Sequence, residues 1–168
     1  MIQQPGNPRD EAILQPSDAL LKDCRIERFR GSGRGGQKRN VTDSAVRVTH
    51  RPTGVAAESD ATRSQIHNRE RALRHLRKRI ALTRRTETAP HTPSPKPPES
   101  KKSPEYCLWV AHLLDLMASA DWSVGDAART MGQSTGRLVK LLAADSDLWQ
   151  TVNEARTAAG LRPLRMPR

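Results

Sequence analysis

Gly33-Arg34-Gly35-Gly36-Gln37-Lys38-Arg39-Asn40-Val41-Thr42-Asp43-Ser44-Ala45-Val46-Arg47-Val48-Thr49-His50-Arg51-Pro52-Thr53-Gly54 is the stretch on which the reading of the fold turns. It starts inside a glycine-rich loop, Gly31 to Gln37, that follows a short strand candidate, Cys24-Arg25-Ile26-Glu27-Arg28-Phe29. From Ala45 to His50 the polarity alternates, with Val46 and Val48 on one face, which is the period of a half-buried strand. Arg51-Pro52-Thr53-Gly54 suits a type I turn, with proline second and glycine fourth. Val55 to Glu58 then returns as the partner strand of a hairpin. From Ser64 to Leu82 the period becomes helical: Ile66, Leu73, Leu76 and Ile80 fall on one stripe, and Arg71, Arg74 and Lys78 on another. A small β-sheet carrying one amphipathic basic helix is an α+β unit.

Gly31-x-Gly33-x-x-Gly36 after a strand also matches the dinucleotide-binding fingerprint. That fingerprint needs a helix packed behind the third glycine and a βαβ crossover, and Lys38 to Asp43 offer no apolar helical face. On composition alone, a flexible basic loop that binds phosphate without specificity is the plainer alternative.

The totals place this unit in a larger frame. Of 168 residues, 35% are apolar and 3% aromatic, too few for one large core, so two small cores joined by a polar segment fit better. The net charge of +11 and pI near 10.8 point to a polyanionic partner, nucleic acid before an anionic membrane. No stretch approaches the roughly 18 apolar residues that a membrane span needs. Residues 22–85 hold 18 Lys/Arg against 6 Asp/Glu, whereas residues 105–168 hold 7 of each. The expected layout is a disordered N-terminal arm over 1–20, the basic α+β domain over 21–85, a Pro-rich linker over 86–104 and a neutral helical module over 105–168. Cys24 and Cys107 form no CxxC or Cys/His cluster, so neither a disulfide framework nor a metal site is expected, and a reducing cytoplasm is the easy inference. Residues 1–21 read as neither a secretory signal nor a transit peptide.

The quoted string, together with Thr62-Arg63-Ser64-Gln65 and the helix after it, resembles the catalytic domain of class I peptide chain release factors and their stand-alone ribosome-rescue relatives. The likeness spans about 21–85. A bare Gly-Gly-Gln is a weak signal; joined to Asn40, the Thr42-Asp43-Ser44-Ala45 run and the Pro52-Thr53-Gly54 turn it is highly specific. The resemblance implies that Gly35, Gly36 and Gln37 form the reaction centre of a ribosome-dependent peptidyl-tRNA hydrolase. The Gln37 N–H would stabilise charge developing near the scissile ester, and its side chain would limit the space beside the attacking water. Ribosomal RNA would supply most of the positioning, so no Ser/His/Asp or paired-carboxylate set is needed, and His50, His67 and His75 are expected at the surface or on RNA. Arg30, Ser32, Arg34, Lys38, Arg39, Asn40, Arg63, Arg71, Arg74 and Lys78 are the candidate RNA-binding residues. Gln37 is also a candidate for methylation. Arg34 stands where the family has a small residue or proline, and Lys38-Arg39 replaces a pair that normally includes an apolar residue. Both differences add charge near RNA.

The resemblance further implies the large ribosomal subunit at the peptidyl transferase centre and peptidyl-tRNA as partners, with no membrane and no cofactor, and a monomeric protein. Decoding release factors carry a stop-codon-reading domain that the 20 residues before the first strand cannot hold, so rescue of stalled ribosomes or obstructed large subunits is the expectation. A non-catalytic rRNA- or tRNA-binding protein of ribosome assembly or regulation is the alternative. In the C-terminal part, Tyr106–Ala120 places Leu108, Ala111, Leu114 and Met117 at helical spacing. Ser123 to Leu142 resembles a helix-turn-helix, with Gly132 at the turn and Ser134 as a cap. A last helix would use Leu148, Trp149, Val152 and Ala155. Groove reading by Arg137 and Lys140 would make the protein a DNA-binding regulator. The neutral charge of the module favours docking on a ribosomal protein or structured RNA instead, because phosphate attraction dominates DNA affinity.

Overall fold

The computed structural model describes residues 7–30, 44–86 and 91–167. The chain forms two compact units, residues 1–81 with 102–104, and residues 82–101 with 105–168. The fold is α+β: among the described residues, a three-stranded antiparallel sheet and seven helices.

The first unit opens with two short helices, α1 (Pro8–Leu14) and α2 (Ser17–Lys22), where the sequence reading expects a disordered arm. The local chemistry explains the difference. Asn7 caps α1 by accepting from Arg9 N–H at 3.0 Å, Pro8 stands at the first helical position, and Asp10 and Glu11 occupy the first turn, all of which favour a helix N-terminus. Ile13 and Leu20 are then fully buried, an anchorage that composition does not reveal.

The strands β1 (Cys24–Phe29), β2 (Ala45–His50) and β3 (Ala56–Ser59) lie in that order. β3 starts one residue later than its sequence pattern suggests, because Ala57 and Ser59 are the residues that turn inward. Pairing runs from Cys24↔His50 to Phe29↔Ala45, and from Thr49↔Ala56 to Val46↔Ser59. With a side-chain period of two, one face carries Val46, Val48, His50, Ala57 and Ser59, all buried. The opposite face is wet: Arg47 pairs across the strands with Glu58 at 2.9 Å and sits 5.4 Å over the Phe29 ring. In the β2–β3 turn Gly54 takes φ +68°, a left-handed conformation that favours glycine. Its N–H donates to His50 O at 2.8 Å.

Helix α3 (Gln65–Thr83) supplies Leu73, Leu76 and Ile80 to the core as its stripe predicts. Ile66 does not join them; it is 62% exposed. The start of the stripe is instead occupied by Asn68, four residues before Ala72 and fully buried. Arg77 is another departure from the polar-face pattern. It is 6% exposed and donates to Ile13 O at 3.1 Å, to Gln15 O at 3.0 Å and to Ser17 Oγ at 3.3 Å. These contacts join α3 to the end of α1 and the start of α2.

The second unit contains α4 (Pro104–Ser119), α5 (Val124–Thr130), α6 (Thr135–Ala143) and α7 (Ser146–Ala158). α4 buries ten side chains from Tyr106 to Met117. The sequence reading saw one apolar stripe there, but the helix is buried nearly all round, as expected of a helix at the centre of a small bundle. The α5–α6 pair has the expected turn, with Gly132 at φ +65° and Ser134 capping α6. Asp145 caps α7 through Asp147 N–H and Leu148 N–H and accepts from the Tyr106 hydroxyl at 3.0 Å. Burial, with Asp145 beside it, pushes the Tyr106 hydroxyl well above its ordinary pKa. Before α4 starts at Pro104, the described residues of the Pro-rich stretch hold no helix or strand, but they do not hang free. Pro93 is buried, Trp109 Nε1 donates to Ser94 O at 2.8 Å and Gln133 Nε2 donates to Pro95 O at 2.9 Å. An extended proline-rich backbone leaves its carbonyls without internal partners, and these two side chains fill that need.

His50 corrects the expectation of a surface histidine. It is 2% exposed, with Nδ1 2.9 Å from Thr53 Oγ1. Burial lowers its pKa from the ordinary 6.5, with Asp23 opposing weakly. The unfolded chain therefore takes up the proton first, and stability rises with pH in this range. As pH falls below about 6.5, the wild-type Tm should drop by an increment that His50→Gln lacks, measured by thermal melts from pH 7.5 to 5.

Candidate functional site

The register that pairs Phe29 with Ala45 holds together the two ends of the loop bearing the glycine tripeptide. Gly35, Gly36 and Gln37, and with them Ser32, Arg34, Lys38, Arg39 and Asn40, lie outside the described residues. What the structure describes is the strands and the helix that flank that segment.

Asn68 ties these elements together. Its Nδ2 donates to Ser44 O and to Thr62 O, both at 2.7 Å, while its Oδ1 accepts from Thr62 N–H at 3.0 Å and Thr62 Oγ1 at 3.1 Å. Donors and acceptors are thus matched at both ends of the amide, which fixes its orientation. Thr62 Oγ1 also accepts from Ser64 N–H at 3.2 Å and lies 3.1 Å from Ser64 O, so that Ser64 O shares its single proton with Asn68 Oδ1. One buried side chain therefore ties the residue just before β2, the turn after β3 and the first turns of α3. The sequence reading missed Asn68. The signal was present as a polar residue in phase with Ala72, Leu76 and Ile80, spaced by four and so on one helix face.

The candidate RNA contacts fall into distinct places. Arg30 is exposed just past the end of β1, and Arg63 is exposed just before α3. Arg71 and Arg74 are exposed on α3, with Lys78 half-buried one turn further on. Arg63, Arg71 and Arg74 have no ion-pair or hydrogen-bond partner among the described residues, so their charge is available to an external anion. The sequence reading passed over two further arginines of the same kind, Arg28 at the end of β1 and Arg69 in the second turn of α3.

Both cysteines are free and buried. The Cys24 thiol is pushed up to about 11, by burial first and then by Asp23, so it is protonated and a poor nucleophile at neutral pH. Among the described residues no group of three or more His, Cys, Asp or Glu side chains could hold a metal ion, and no helix is long and apolar enough to cross a membrane.

The paired strands β1 and β2, which flank the segment that holds the glycine tripeptide, and the arginine-bearing helix α3 belong to one small α+β domain. A family model described as the RF-1 domain matches residues 18–105, just over half of the chain, and the chain belongs to this family. Similar curated proteins include peptide chain release factor 1 of Leptospira biflexa, 57% identical over 71 residues, which are 42% of this chain and 20% of that protein. Peptide chain release factor 2 of Chlamydia abortus is 57% identical over 63 residues, 38% of this chain and 17% of that protein. The mitochondrial peptide chain release factor 1-like protein of Rattus norvegicus is 51% identical over 74 residues, 41% of this chain and 20% of that protein. The chain spans about a fifth of the length of these relatives.

Asn68→Ala should destabilise the first unit by about 2–4 kcal/mol, because it strands the Ser44 and Thr62 carbonyls and the Thr62 N–H inside the protein. Asn68→Asp should do no better, since it keeps the acceptor but sets a carboxylate against two carbonyl oxygens. Urea denaturation of both variants measures this.

Proposed function

We propose that the protein hydrolyses the ester of peptidyl-tRNA on the ribosome, in rescue of stalled ribosomes or obstructed large subunits and without reading a stop codon. The observation that carries this reading is the Gly35-Gly36-Gln37 tripeptide within a chain of the RF-1 domain family. The relatives named peptide chain release factor support the broader role in peptide release.

The chemistry is an attack of water on the ester carbonyl carbon. The acyl–oxygen bond to the terminal ribose breaks, the ribose oxygen takes one proton of the water, and the peptide is freed as a carboxylate with the second proton passing to solvent. Negative charge grows on the carbonyl oxygen as water adds, and a fixed backbone N–H is the cheapest group to meet it, because it needs no reorganisation. In this proposal that donor is the Gln37 N–H. Gly35 and Gly36 admit the loop where a Cβ would obstruct close approach. The exposed arginines of α3 hold ribosomal or transfer RNA, and Asn68 keeps the loop's base fixed. The helical module, neutral over residues 105–168, selects among stalled complexes by docking on a ribosomal protein or structured RNA. The protein acts as a monomer in the cytoplasm, with Gln37 as a site of methylation.

Peptide release from stalled 70S complexes and from isolated large subunits tests the reading. Gly36→Ala should lower the rate by roughly 10²-fold or more, with ribosome affinity nearly unchanged. Gln37→Ala should cost less if the N–H does most of the work. Binding without turnover by the unaltered protein would leave the non-catalytic RNA-binding alternative. Tight binding to duplex DNA by the intact protein, lost in Arg137→Gln/Lys140→Gln, would favour the DNA-regulator reading.

Neutralising Arg71, Arg74 and Lys78 together should reduce the slope of log affinity against log salt by roughly two to three, as fewer counterions are released. Filter binding to large subunits between 50 and about 200 mM salt measures it.

A further inference from the structure

Within the second unit, residues 91–101 touch α4, then the α5–α6 turn, then the end of α6. The His91 ring lies 5.2 Å from that of His112 on α4, and Pro93 is buried. Trp109 Nε1 donates to Ser94 O at 2.8 Å and Gln133 Nε2 to Pro95 O at 2.9 Å. Lys101 Nζ donates to Ala144 O, at the C-cap of α6.

The two side-chain donors stand on regular structure. Trp109 lies within α4, 5% exposed, with its ring stacked on Tyr106 at a centroid distance of 5.9 Å. Gln133 follows Gly132, whose φ of +65° turns the chain, and its own N–H donates to Ala128 O at 2.9 Å. An aromatic side chain beside donors aimed at successive carbonyls is a way to take a proline-rich segment, which loses little conformational freedom on docking. A nucleic-acid strand would look for cations instead, and Trp109 and Gln133 carry no charge. The fit to the chain's own segment is incomplete. Gln133 Oε1 is buried and accepts no hydrogen bond among the described residues. Pro93, Pro95, Pro97 and Pro98 have no N–H to give it, and a buried acceptor without a donor is costly. A proline-rich segment with an N–H at that place would satisfy both ends of the amide.

We propose that Trp109 and Gln133 form a binding groove for proline-rich peptide, which this chain's own residues 93–98 close until a proline-rich segment of a partner protein displaces them. The groove belongs to the unit without the glycine tripeptide, so it stands or falls independently of the hydrolysis reading.

Fluorescence anisotropy of the full chain with a labelled peptide of residues 91–100 tests the groove. Pro93→Glu puts a charge in place of a buried proline and so expels the chain's own segment. Pro93→Gly/Pro95→Gly loosens that segment by a second route, through the entropy of its released state. Both opened chains should bind the peptide roughly tenfold or more tightly than the unaltered chain, because the tethered segment competes at an effective concentration on the order of millimolar. The unaltered chain should still saturate at high peptide concentration. In the Pro93→Glu background, Gln133→Ala and Trp109→Phe should each weaken binding by roughly fivefold, and a peptide with its prolines replaced by alanine should not bind. Equally weak binding by opened and unaltered chains would overturn the groove, as would binding that Gln133→Ala and Trp109→Phe leave unchanged. Failure of the unaltered chain to bind at any peptide concentration would show that residues 93–98 are not displaced, which removes the partner. A Tm fall of several degrees in both opened chains would show that residues 93–98 are a fixed part of the bundle, with the same consequence.

Discussion

Asn68, in the first turns of α3, sits where two segments of backbone would otherwise be left with unmet polar groups: the residue before β2 and the turn after β3. Its amide gives two hydrogen bonds and accepts two, and it is fully buried. A buried polar group costs free energy unless every partner is present, so this arrangement is close to all-or-none. If the amide is satisfied, Ser44 is fixed against the helix and the strand that follows starts in register with Phe29. If it is not, the sheet and the helix lose their common reference at the end from which the glycine loop leaves. The exposed arginines of α3 inherit their positions from the same point.

The sheet was legible because its code is short and local. Val46 and Val48 alternate with polar neighbours, Pro52 and Gly54 punctuate the hairpin, and the observed limits of β1 and β2 coincide with the pattern. α3 was legible in its apolar stripe but not at its start, where Ile66 faces outward and Asn68 inward. A hydrophobicity pattern assigns an aliphatic residue to the core and an amide to the surface, and the amide's partners, Ser44 and Thr62, come from elsewhere in the chain. His50 and Arg77 escaped for the same reason, since each is a polar residue whose burial depends on distant groups. The two N-terminal helices show a different failure. Asn7, Pro8, Asp10 and Glu11 spell a helix start, but a seven-residue helix is marginal by propensity alone and is held here by tertiary contacts. Of the candidate site, the arginine stripe was readable from spacing, while the exposure of Arg28 and Arg69 depends on the register of β1 and the rotation of α3.

The basic half and the neutral half of the chain differ in how they use charge. In the first unit the arginines are mostly spent outward, and the exposed pairs Arg25–Glu27 and Arg47–Glu58 add little to stability. In the second unit the informative polar groups are turned inward. Tyr106 and Asp145 join α4 to the cap of α7, and Asp115, 3% exposed, meets Arg85 at 3.3 Å. The same residue types thus serve solvent-facing attraction in one unit and internal bracing in the other.

Arg77 bears on what can be cut from this protein and moved elsewhere. Its guanidinium faces away from solvent and is met by the carbonyls of Ile13 and Gln15, both of which precede the residues matched by the family model. A graft of that matched segment alone into another protein would carry a buried cation stripped of these acceptors and of the Ser17 hydroxyl, a far costlier condition than an exposed one. The smallest transplantable piece of this fold is therefore longer than the piece its relatives share, and it has to include the short helix capped by Asn7.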